Sequence, residues 1–96
     1  MTRKELLNEA NLFIQEKTQD VNDGIFKTPI LNHRLKELRF NFNKYGDIQC
    51  VCGDNIALLS FAKDEIMGIR LNLNDIIYPF SNLKGAIVLM ATKMFD

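Results

Sequence analysis

A chain of 96 residues with 47% hydrophobic and 25% charged side chains is ordinary for a folded protein, so one small domain over residues 1–96 is expected. Zero formal net charge argues against a nucleic-acid binder held by counterion release, and two cysteines are too few for a disulfide framework. No charged n-region leads into an apolar h-region and no apolar run reaches the ~18–20 residues of a membrane span, so a cytoplasmic setting without a membrane partner is expected.

The opening stretch TRKELLNEANLFIQEKT reads as an amphipathic helix over residues 3–18. Thr2 and Glu5 are spaced as a capping box, in which each side chain pairs the other's backbone N–H. Leu6, Ala10, Phe13 and Lys17, flanked by Leu7 and Ile14, recur at helical spacing, with Lys4, Asn8, Asn11 and Gln15 on the opposite face. QDVNDGIFK is a loop turned at Asp23-Gly24, and the ligand positions of a calcium-binding loop fail at Gly24, Ile25 and Leu31. Thr28 before Pro29 starts a short second helix over 29–37. Leu38, Phe40 and Phe42 then alternate with Arg39, Asn41 and Asn43 in a strand over 38–43, with a start near Leu35 as the alternative.

Turn residues at Gly46-Asp47, GDN and KDE separate three further strands, DIQCVC, IALLSFA and IMGIRLNL. In IALLSFA, Ile56 and Leu58 lie on one face and Ala57, Leu59 and Phe61 on the other. A strand apolar on both faces is expected to be central and covered on both sides. Pro79 is expected to end any strand or helix at LNDIIYPF, and Ser81 to cap an apolar helix over 82–95. Leu83, Ala86, Ile87, Met90, Ala91 and Met94 make that helix's stripe, with Leu89 on its polar back. A β-hairpin pairing DIIYPF with AIVLMATKMF across SNLKG is the alternative. The fold class is α+β: an N-terminal helix, a short second helix, a four-stranded antiparallel meander and a C-terminal apolar helix.

Motifs that would carry chemistry are weak. Cys50 and Cys52 share a strand face, but a structural zinc site wants four ligands and usually Cys-x-x-Cys spacing, so both are read as packing residues. His33 is the only histidine and has no acidic orienter. Ser60 and Ser81 sit in no nucleophile elbow, and Asp54, Asp64 and Glu65 fall in turns, where acids are common anyway. No catalytic residue, cofactor or metal ligand is assigned, and the protein is not expected to be an enzyme.

Two surfaces remain. The closing stretch adds large apolar side chains to an already furnished core, and Ile77, Tyr78, Phe80, Leu89 and Phe95 are the candidate partner interface. Residues 27–44 carry Lys27, Arg34, Lys36, Arg39 and Lys44 against Glu37 alone. Arg34, Lys36 and Arg39 are therefore the candidate contacts for an alternative reading, a nucleic-acid-binding regulator. The expected function is a small protein–protein interaction module, an adaptor, inhibitor or immunity-type protein acting by binding and occlusion on another protein or on itself as a homodimer. Ten Asn, ten Ile and no Trp fit an AT-rich coding sequence, as in low-GC bacteria and their phages.

Overall fold

A computed structural model describes residues 2–19, 34, 37–61 and 68–95, without the side chains of 16–19. Helix α1 (Arg3–Gln19) is followed by strands β1 (Phe40–Phe42), β2 (Ile48–Cys52), β3 (Asn55–Phe61), β4 (Ile69–Leu73) and β5 (Ile76–Phe80), then helix α2 (Leu83–Met94). The strands form one antiparallel sheet in the order β1-β2-β3-β4-β5, an α+β meander with a fifth strand where four were expected. The loop at 20–27 and most of the expected helix over 29–37, including His33 and Lys36, lie outside the described residues. Arg34 is helical and Glu37 follows in a turn.

The capping box is formed as spelled: Thr2 Oγ1 accepts from the Glu5 N–H at 3.1 Å, and the Thr2 N–H donates to Glu5 Oε1 at 3.2 Å. Leu6, Ala10 and Ile14 form the buried stripe of α1. Asn11, on the polar face, turns its amide onto the sheet edge. The Phe40 N–H donates to Asn11 Oδ1 at 2.8 Å and Asn11 Nδ2 donates to the Phe40 carbonyl at 3.0 Å. One side chain thereby supplies both hydrogen bonds that a further strand would make to Phe40.

The extra strand comes from a hairpin. Asn74 and Asp75 both adopt positive φ, at 52° and 71°, as the two central residues of a type I′ turn must. Asn74 is fastened further: its N–H donates to the Ile56 carbonyl, its Oδ1 accepts from the Ile56 N–H, and its Nδ2 donates to Asn55. Gly53 supplies positive φ at the first turn position between β2 and β3, as in a type II′ turn.

Pro79 does not end the strand; it lies inside β5 opposite Arg70. In a two-residue hairpin the pair flanking the turn, Leu73 and Ile76, exchanges hydrogen bonds, and the pattern alternates from there. Pro79 is therefore at a non-bonded pair, where its missing N–H would have pointed off the sheet. An edge strand tolerates proline at that place.

Residues 82–95 are helical, not the partner strand of a hairpin, with Asn82 rather than Ser81 as N-cap: its Oδ1 accepts from the Gly85 N–H at 2.8 Å. Ala86, Ile87, Met90, Ala91 and Met94 bury the expected stripe. Both helices cover the same face of the sheet. There they enclose Phe40, Ile48, Cys50, Ala57, Leu59, Ile69, Leu71 and Leu73. Among the described residues the central strand β3 is covered on one side, where two were expected: α2 follows β5 after Ser81 and Asn82 and packs back onto the face that α1 already covers.

Candidate functional site

The register defines what lies on the other face. Asn41, Gln49, Leu58, Asn72 and Ile77 align in one row across all five strands. Toward the two tight turns, Val51 and Ile56 pair in a second row, which Asn74 continues through its backbone bond to Ile56. Toward the opposite end, Ser60, Arg70 and Pro79 form a third, and Asp47 joins it beside Asn43, whose N–H donates to the Asp47 carbonyl.

No described helix covers these rows. Val51 is 55%, Ile56 45% and Ile77 56% exposed, with Leu58 half-buried between them. An apolar band thus runs diagonally from β2 to β5, interrupted on β4 by Asn72 and flanked by the amides of Asn41 and Gln49. Apolar side chains grouped on a solvated sheet face make it a candidate interaction surface. Arg70 is the one ionisable residue that the described strands place on this face. Arg39 continues the second row at β1, Asp75 closes the same row at β5, and Asp54 sits in the turn between β2 and β3.

The sheet's edges offer much less. Asn11 satisfies β1 at Phe40, and Pro79 removes an outward donor from β5.

The residues expected to form the interface divide between the two sides. Ile77 stands on the open face. Tyr78, Phe80, Leu89 and Phe95 are half-buried on the covered side and pack against the core, Leu89 among them although it was expected on the polar back of α2. The structure does not bring Ile77 together with the other four. Sequence reasoning missed Val51, Ile56 and Leu58 as surface candidates. The signal was present in IALLSFA, whose second apolar face was assigned a cover that no described element provides.

Of the basic candidates, Arg34 stacks its guanidinium 4.1 Å from the centroid of the Phe95 ring and approaches Glu37 at 3.6 Å. Arg39 is exposed just before β1, and Lys36 lies outside the described residues. Cys50 is fully buried and Cys52 half-buried; both are free thiols. Burial pushes the Cys50 thiol from its ordinary value of 9.0 up to about 11, with the neighbouring Cys52 adding to the shift and a backbone hydrogen bond from Arg39 opposing it. The protonated thiol is a poor nucleophile and a poor metal ligand at neutral pH. Among the described residues, no three His, Cys, Asp or Glu side chains converge as they would on a metal ion, and no helix is long and apolar enough to cross a membrane. Comparison with protein-family models, with curated proteins and with solved structures finds no match.

Proposed function

We propose that this protein is a non-enzymatic protein–protein interaction module whose working surface is the open face of the sheet. The single observation that carries the reading is the band of Val51, Ile56, Leu58 and Ile77 on a face that the described helices leave bare. The mechanism is binding and occlusion: burial of the band drives association, and the framing amides fix the register. An adaptor, an inhibitor or an immunity-type protein of a bacterium or phage, working in the cytoplasm, would act in this way. Nucleic-acid binding is the weaker reading, because Arg34 is committed to Phe95 and Glu37 within the chain.

A photo-crosslinking side chain placed at Ile77, and separately at exposed Lys84 on α2, tests this in cells expressing the protein. The reading expects a discrete protein adduct from position 77 and none from 84. Position 77 giving no more adduct than 84 would overturn it.

A further inference from the structure

We infer that the occupant of the open face is a second copy of this chain, stacked sheet on sheet about a two-fold axis running along the central row; the inference rests on the interaction-module reading above. The central row of the face is self-complementary. A two-fold axis lying in the plane of contact and perpendicular to the strands keeps the strand order and reverses the strand direction. Each residue of the central row then meets its own copy: Leu58 meets Leu58, Ile77 meets Ile77, and the amides of Asn41, Gln49 and Asn72 meet amides, which both donate and accept.

The same operation lays the second row of one copy over the third row of the other. Ile56 falls on Ser60, Val51 on Asp47 and Asn74 on Arg70. Asp75 on β5 arrives one strand from Arg70 on β4, and Arg39 at β1 arrives one strand from Asp47 at β2. One strand spacing is ~4.8 Å, within the reach of an arginine. Each opposite-charge pair occurs twice by symmetry, and in these four pairs no like charges are set against each other. The alternative axis, parallel to the strands along β3, lays each row on itself and sets Asp47 on Arg70 and Arg39 on Asp75, but it lays Ile77 on Asn41 instead of on its own copy. A double swap at Arg39 and Asp47 repairs the charges only about the first axis.

The partly blocked edges point the same way. With Asn11 on β1 and Pro79 in β5, two copies gain little by pairing edge to edge and are left with face-to-face packing at the usual ~10 Å sheet separation. Five strands by about five residues present ~400 Å² per copy, roughly half of what a standard stable interface takes from each partner. The dimer is accordingly a weak, concentration-dependent one.

Sedimentation equilibrium of the full chain, from low micromolar to near-millimolar concentration, reads this directly. The wild type is expected to pass from monomer to dimer, and Ile77→Lys, folded by circular dichroism, to stay monomeric. Arg39→Glu and Asp47→Lys are each expected to weaken the dimer by about tenfold, and the double swap to recover most of the loss, since the exchanged charges face each other again. A wild type monomeric throughout, a dimer indifferent to Ile77→Lys, or single charge changes that the double swap fails to repair would each overturn the proposal. If the protein is monomeric while position 77 still crosslinks to a different protein, the second copy is wrong and the interaction face stands. If Ile77→Lys unfolds the chain, the face is covered from within and both readings fail.

Discussion

Removing the Asn11 side chain strips Phe40 of partners for both its N–H and its carbonyl, at a part-buried position against the helix. Two net hydrogen bonds of ordinary strength put the cost of Asn11→Ala at about 2 kcal/mol, measured by chemical denaturation. Asn11→Asp keeps the acceptor and loses the donor, so it is expected to cost less. Cys50 makes a different prediction. Its thiol holds its proton more tightly folded than unfolded, so its contribution to stability is complete below pH 9 and is lost as the pH rises through about 11. Stability of the wild type minus that of Cys50→Ala is therefore expected to be flat up to about pH 9 and to fall above it. A thiol reagent at mildly alkaline pH should modify Cys52 first, with Cys50 reacting only on unfolding.

Two turns and a proline shape the sheet. Asn74 occupies a left-handed backbone position and holds Ile56 and Asn55 through its side chain. Asn74→Ala is expected to cost about 2 kcal/mol, combining the strain of alanine at positive φ with the lost hydrogen bonds. Pro79→Thr restores an outward N–H to β5, so the variant is expected to fold and to aggregate faster than the wild type by light scattering. At this scale the sequence was uneven evidence. The capping box at Thr2 and Glu5, the stripe of α2 and the alternation of β4 were legible, because each is a local pattern with a local cause. The β4–β5 hairpin was not, because Asn-Asp is a weaker turn signal than Asn-Gly and a proline normally argues against a strand. Proline is acceptable in β5 because β5 is the edge, and strand order is a property of the whole sheet.

At the scale of the molecule, the two faces of the sheet were both visible in IALLSFA, but the described helices cover only one of them. Which face the helices would take, and that they would take the same one, depends on how α2 leaves β5 and on where α1 meets β1 through Asn11. Neither is written in any window of the sequence. The same limit applies to the candidate interface: apolar content marked Ile77, Tyr78, Phe80, Leu89 and Phe95 alike, and only the register separates the first from the others. The face bearing Val51, Ile56 and Ile77 is proposed to be open in the dilute protein and closed by association. Carbene footprinting of the intact chain at low and high concentration measures both parts. Heavy labelling of these three residues is expected when dilute, shielding when concentrated, and little labelling of Ile48, Leu59 and Leu71 under either condition. Val51, Ile56 and Ile77 as protected in the dilute protein as Leu59 and Leu71 would contradict it.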